Sequence, residues 1–321
     1  MSTKQVDYID LPIRKRMEIV GNLYVKRDIG DDIHACFDER REESDFLPEP
    51  EGILVVGDTG TGKTALLENY LAKNPADRRE GILCRPFLLT KIPAKASMNS
   101  LASMMLQDLG DPSPHTGNLA RKTDRVKRQL RLQNVELVAF DEFQHIVEAT
   151  GKDGLVRVSD WIKDQMKDVG IPFAIFGLRH AEKILSINEQ LARLCPFHYS
   201  LGPFTWDEDI SRRDFRKFLA RLDKKLPFNQ LSHMGDPDIA VRIFAATEGK
   251  LFRIAMLIRT ASFNAIRKGS NFVEMCDFSH AYETKMTVAN GDRSNPFEID
   301  KMQVEHDMNE LLNKDKKQSI K

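Results

Sequence analysis

An eight-residue run, Gly57-Asp58-Thr59-Gly60-Thr61-Gly62-Lys63-Thr64, lies between an apolar stretch at residues 53–56 and a segment of helix formers that continues to Ala72. It fits the pattern GxxxxGK[ST]. In such a loop backbone N–H groups wrap phosphate oxygens and glycines allow the close approach, while the lysine reaches the β- and γ-phosphates and the final hydroxyl ligates Mg²⁺. The geometry needs a buried strand that hands the chain to a helix N-terminus, and strand, Gly-rich loop, helix is the order read here. A Gly-rich surface turn is the plain alternative, and the placement argues against it. ATP and Mg²⁺ are the expected cofactors.

The flanking pattern extends this unit. Apolar runs at 82–92, 135–140, 171–176 and 198–201 alternate with helix-like stretches at 99–109, 121–131, 161–169 and 181–194. Near-continuous apolar strands separated by helices predict an α/β fold with a parallel sheet covered on both faces. After Pro203 the strands cease, and 209–222, 237–247, 251–268 and 277–287 all read as helices. The expected division is therefore a leader and surface helix over 1–50, a phosphate-loop domain over 51–203, a small all-helical domain over 204–289 and a polar tail over 290–321. Residues 1–27 carry no clear period, whereas Ile29, Ile33, Cys36 and Phe37 fall at helical spacing. In the tail, Asn295-Pro296-Phe297 admits two readings, a docking peptide or part of a disordered end.

Composition limits the function classes. With 48 basic and 48 acidic residues among 321 there is no net charge, so any nucleic-acid surface must be a local patch. The longest apolar run, 171–178, is far shorter than the ~18 residues of a membrane span, and the N-terminal segment lacks a signal-peptide pattern. The expected location is the cytoplasm, with no membrane partner. Cys36, Cys84, Cys195 and Cys276 are scattered without CxxC or zinc-ligand spacing, and all four are expected to be reduced and buried.

Asp141-Glu142 close the apolar strand at 135–140. An Asp at such a strand end helps hold Mg²⁺, and a following Glu orients or deprotonates the attacking water. Acidic residues favoured by a helix N-terminus are the other explanation. Gln144 and His145 either contact this site or cap and pack. Arg193, at the end of a helix-like stretch, is placed to enter a neighbouring subunit's nucleotide site, or else to cap its own helix. Arg253 is placed to touch a γ-phosphate from the helical domain, or is an exposed helix arginine. The segment Arg121-Lys122-Thr-Asp-Arg125-Val-Lys127-Arg128-Gln-Leu-Arg131 is the sharpest basic patch, able to neutralise DNA phosphates without reading sequence. A solvated basic helix face explains it equally well.

Taken together, GDTGTGKT, VAFDEFQH, NEQLARL, ISRRDFRKFLARLDKKLPF and TEGKLFRIAMLIRTASFNAIRKG resemble AAA+ ATPases of the TniB/TnsC type, the target-selection regulators of bacterial transposons, over roughly residues 28–288. The resemblance implies a P-loop AAA+ parallel sheet followed by a helical lid domain. It further implies ATP-dependent homo-oligomers, rings or filaments, on double-stranded DNA without sequence specificity. Such assemblies recruit a transposase together with a target-selection protein of the TniQ type. It implies that Lys91 and Lys95, in the loop after the second strand, track the DNA backbone. Gly177-Leu-Arg179-His180 stands where many AAA+ chains carry a water-positioning polar residue, which implies slow, assembly-dependent hydrolysis. Arg193 is followed by Leu194 where the family often doubles the arginine. The competing readings are a stand-alone AAA+ loader or remodeller acting on a protein client, and a passive nucleotide-binding adaptor.

Overall fold

The computed structural model describes residues 8, 10–79, 81–286 and 293–318. In chain order it contains α1 (Ile13–Gly21), α2 (Asp28–Glu43), β1 (Ile53–Gly57), α3 (Lys63–Lys73), β2 (Asp77–Arg79), β3 (Ile82–Cys84), β4 (Phe87–Lys91), α4 (Met98–Asp108) and α5 (Leu119–Leu132). It continues with β5 (Leu137–Asp141), α6 (Gln144–Ala149), α7 (Lys152–Val169), β6 (Phe173–Gly177), α8 (Lys183–Ile187), α9 (Glu189–Leu194) and β7 (Phe197–Leu201). The last elements are α10 (Asp209–Asp223), α11 (Pro237–Thr247), α12 (Leu251–Lys268), α13 (Met275–Lys285) and a C-terminal helix, Lys301–Gln318. Two compact units result, one over Ile29–Gly202 and one joining the described residues up to Asp28 with those from Pro203 onward.

In the first unit a five-stranded sheet runs β4-β5-β6-β1-β7, every neighbouring pair parallel. Side chains alternate across a strand, and β1 shows the consequence. Ile53 and Val55 join Ile33 and Phe37 of α2 and Leu66, Leu67 and Tyr70 of α3 on one face. Leu54 and Val56 join residues of α4, α5 and α7 on the other. Burial on both faces explains why the strands read as continuous apolar runs.

Three sequence expectations change here. The run at 82–92 is two strands, because it is interrupted at Arg85-Pro86: β3 pairs antiparallel with β2, while β4 enters the main sheet. The carbonyl of Pro86 accepts the N–H groups of Glu136 and Leu137 (3.0 and 3.1 Å). The helix expected at 181–194 is broken at Asn188, whose side chain accepts from the N–H groups of Gln190 and Leu191 and caps α9. Of the four cysteines, Cys36, Cys84 and Cys195 are buried and Cys276 is exposed, since it lies on the solvent side of α13.

The second unit is helical apart from its connections. Its core gathers Phe204, Trp206, Phe215, Phe218 and Phe244 from α10, α11 and the segment before them, with Ile254, Leu257 and Phe278 from α12 and α13. The leader contributes α1, which sequence periodicity did not reveal. Its inward face includes Val20 and the buried Arg16, whose guanidinium lies over the Phe228 ring at 5.1 Å and whose Nε donates to the Pro227 carbonyl (3.1 Å). An arginine that buries its stem reads as charge in a hydrophobicity pattern.

The segment read as a polar tail is also built into this unit across its described residues. Phe297 stacks on Phe278 (5.4 Å between centroids), and Val304 and Met308 are buried. Arg242, itself buried, donates to the carbonyls of Pro296 and Ile299 and pairs with Asp238 at 3.2 Å. Asn295-Pro296-Phe297 is therefore a packed turn, neither a free peptide nor a disordered one. Residues 290–292 and 319–321 of the segment, like 287–289 before it and 1–7 and 9 of the leader, lie outside the described residues. Among the described residues no helix is long and apolar enough to cross a membrane.

Candidate nucleotide site

The loop between β1 and α3 carries the phosphate motif at the carboxyl end of a central strand. Gly60 and Gly62 adopt φ of +78° and +91°, a region where a Cβ costs about 1–2 kcal/mol, and glycine spares the loop that cost. Thr61 Oγ1 donates to the Asp58 carbonyl at 2.8 Å and tightens the turn. Lys63 is buried, and its Nζ donates to the carbonyls of Gly57 (2.6 Å) and Asp58 (2.9 Å). Burial lowers the pKa of this ammonium, against the opposing charges of Glu142, Asp141 and Asp58.

Asp141 reaches the same place from the end of β5. Thr64 Oγ1 donates to Asp141 Oδ2 at 2.7 Å, joining two positions 77 residues apart in sequence. The carboxyl is 1% exposed; burial first, and then the Glu142 charge, push its pKa up, while the Thr64 hydroxyl and the Glu142 N–H oppose the shift. A buried carboxylate and a hydroxyl are hard oxygen donors of the kind Mg²⁺ takes. Together with the glycine cradle and the lysine beside it, they fit a nucleotide phosphate and its cation.

Glu142 sits just past the strand with φ +59°, a left-handed conformation uncommon for a residue with a side chain. Asp141 Oδ1 accepts the Glu142 N–H (2.9 Å), which holds the turn. The Gln144 amide donates to the Glu142 carboxylate, and its Oε1 accepts the Leu178 N–H at 3.1 Å. Of the two readings for the neighbours, Gln144 thus contacts the site. His145 Nδ1 hydrogen-bonds the Ile92 carbonyl (2.8 Å) and, because a carbonyl only accepts, carries the proton there. Arg179 stands beside the loop, with Nε 3.5 Å from Asp58 Oδ1. Sequence reasoning passed it over by treating 177–180 only as a missing polar residue, although an arginine two positions past a strand end was a usable signal.

The remaining candidates lie elsewhere. Arg193, on α9, has a 70% exposed side chain and pairs with Glu49 at 3.2 Å; Glu49 also pairs with Lys167 at 2.7 Å. Arg253, in the helical unit, pairs with Glu248 at 3.3 Å, a carboxylate shared with Lys250 and Arg293. In the basic helix α5, Lys122 is buried on Ser103 Oγ (2.8 Å), and Arg125 bonds Asp111 and the carbonyls of Ser113 and Thr116. Those two charges hold α5 in place, while Arg121 is exposed. Lys91 and Lys95 are exposed at the two ends of the turn after β4, and Lys95 adopts φ +60°.

A parallel sheet in this strand order, a phosphate loop after the interior strand β1, acidic residues at the end of β5 two strands away and a following helical unit define an AAA+ P-loop protein. Residues 32–200 match the model of the family described as Bacterial TniB protein, and the chain belongs to the TniB family. No curated protein sequence matches it. Among solved structures it is similar to the Aeropyrum pernix ORC1 protein in complex with DNA, at 18% identity and TM-score 0.56 over 84% of this chain and 69% of that one. The ADP form of the Aeropyrum pernix ORC2 protein gives 16% and 0.59 over 86% and 74%. Drosophila ORC bound to DNA gives 13% and 0.52 over 92% and 74%. At these identities the likeness establishes the AAA+ fold.

Proposed function

We propose that this chain is an ATP-switched regulator of transposition: it oligomerises on duplex target DNA, without sequence specificity, and recruits or activates a transposase with a TniQ-type target-selection protein. The observation that carries the reading is the meeting of Lys63, Thr64, Asp141 and Glu142 at one sheet edge in a chain of the TniB family. Structures of ORC1 and ORC bound to DNA share its fold, which supports DNA as the partner.

In this reading the backbone N–H groups of residues 57–64 and the Lys63 ammonium hold the phosphates, and Thr64 and Asp141 hold Mg²⁺. When bound, that ion polarises the phosphoryl oxygens. Glu142 accepts the proton of the attacking water. Arg193 enters from a neighbouring subunit to neutralise charge that builds up on the transferring phosphoryl group, so turnover depends on assembly. Arg253 leaves Glu248 for the γ-phosphate. Lys91 and Lys95 meet the DNA backbone with Arg121, whereas Lys122 and Arg125 serve the fold. ATP acts mainly as the assembly switch, and hydrolysis resets it.

Electron microscopy of the protein with linear duplex DNA, comparing a non-hydrolysable ATP analogue with ADP, tests the proposal. Rings or filaments are expected with the ATP form alone, lost in Lys63→Ala and retained in Glu142→Gln. Normal assembly by Lys63→Ala would sink it. The second reading is a stand-alone AAA+ loader or remodeller acting on a protein client. Absence of DNA assemblies in every nucleotide state, with turnover stimulated by a protein, would select that reading.

A further inference from the structure

The carboxylate proposed to activate water is not left to find its own orientation. Gln144 is 4% exposed, and both ends of its amide are used within the site. The orientation of that amide follows from its partners. A backbone N–H only donates, so the atom facing Leu178 N at 3.1 Å is Oε1, and the NH₂ group is then the end that faces the Glu142 carboxylate. Gly177 makes room for the bridge: a Cβ there would lie 3.0 Å from Gln144 Oε1 and 2.8 Å from the Ala181 methyl. Glu142 holds φ +59°, the turn that places residues 142 and 144 within reach of one another. The bridged peptide lies directly before Arg179, which pairs with Asp58 in the phosphate loop.

Resting on the reading of Glu142 as the water-activating residue, we infer that Gln144 is the positioning residue of this ATPase. It clamps the Glu142 carboxylate to the backbone at the end of β6, so that the orientation of the base is tied to the turn carrying Arg179. The two halves of the clamp are chemically separable. Gln144→Glu keeps an acceptor for the Leu178 N–H but replaces the donor toward Glu142 with a second carboxylate. Gln144→Met keeps the length of the side chain and removes both bonds.

The test uses the full-length protein with duplex DNA and three readouts: steady-state ATP hydrolysis, affinity for a fluorescent ATP analogue, and amide hydrogen exchange at residues 176–180. A misplaced general base costs on the order of 100-fold in rate. We expect kcat to fall about that far in both variants, with KM and analogue affinity within about twofold of wild type, since Gln144 contacts no phosphate-binding group. Exchange at Leu178 should rise at least tenfold in Gln144→Met and stay protected in Gln144→Glu. A purely structural role would instead lower kcat and analogue affinity together, and would expose the Leu178 N–H in both variants. Wild-type kcat in Gln144→Glu, or parallel loss of analogue affinity and kcat, overturns the inference. The underlying reading fails separately: it is lost if the wild type does not hydrolyse ATP or if Glu142→Gln turns over normally, and the inference is lost with it.

Discussion

Burial acts on Lys63 and Asp141 in opposite senses, disfavouring the charged form of each, and a bound nucleotide with its cation would relieve both. Thr64 mediates between them through its bond to Asp141. Replacing it with alanine removes one hard oxygen and leaves the buried carboxyl without its hydroxyl partner. Thr64→Ala should bind ATP with Mg²⁺ at least about tenfold more weakly, yet bind ADP in chelator nearly as well as wild type, by calorimetry. At this scale much of the site was legible. Residues 57–64 are contiguous, and Asp141 announces itself as the acid that ends a buried strand. Gln144 was left undecided because its link to Glu142 depends on a left-handed turn, which no residue type at position 142 signals. Arg179 pairs across the loop with Asp58, a contact set by the spacing of β1 and β6 rather than by any local pattern.

Charge along an element is harder to read than charge at a motif. The basic stripe of α5 suggested a DNA surface, but an arginine count does not reveal which guanidiniums face an acid. Asp111, on the turn before α5, shows what the helix needs. Burial alone would push its carboxyl up, yet the Arg125 guanidinium and the Ser113 N–H hold it below the usual range. A carboxylate depressed in the folded state contributes stability that is present at neutral pH and lost as pH falls through its folded pKa. Arg125→Ala should therefore cost about 2 kcal/mol in urea unfolding at pH 7, because it strands a nearly buried charge, and progressively less as pH falls through the folded pKa of Asp111 and the pairing is lost. A loss that does not change with pH would mean that the arginine contributes packing alone. Element types were legible wherever apolar runs were uninterrupted. Breaks at Pro86 and Asn188 escaped because each is a single residue whose backbone effect outweighs an otherwise continuous pattern.

For the molecule as a whole, the largest departure from the sequence reading is at its C-terminal segment. Its polar composition hid three anchors, Phe297, Val304 and Met308, because charged and amide side chains outnumber them along the stretch. Each buried apolar side chain of this size is worth roughly 1.5–3 kcal/mol, so truncation before residue 293 should lower the melting temperature of the chain by several degrees. Unchanged melting after truncation would contradict the packing. Loss of partner binding in such a truncation is then no sign of a docking peptide. The cysteines bear on the molecule in another way. Burial pushes the Cys195 thiol up to about 12 and raises that of Cys36, and Cys84 is enclosed as well, so Cys276 alone meets solvent. The native chain should take up one maleimide per molecule and four after unfolding, as read by mass spectrometry. Unmodified protein thus already carries a single attachment point for a dye on its helical unit, and self-quenching between dyes would report, in real time, the proposed gathering of subunits on DNA.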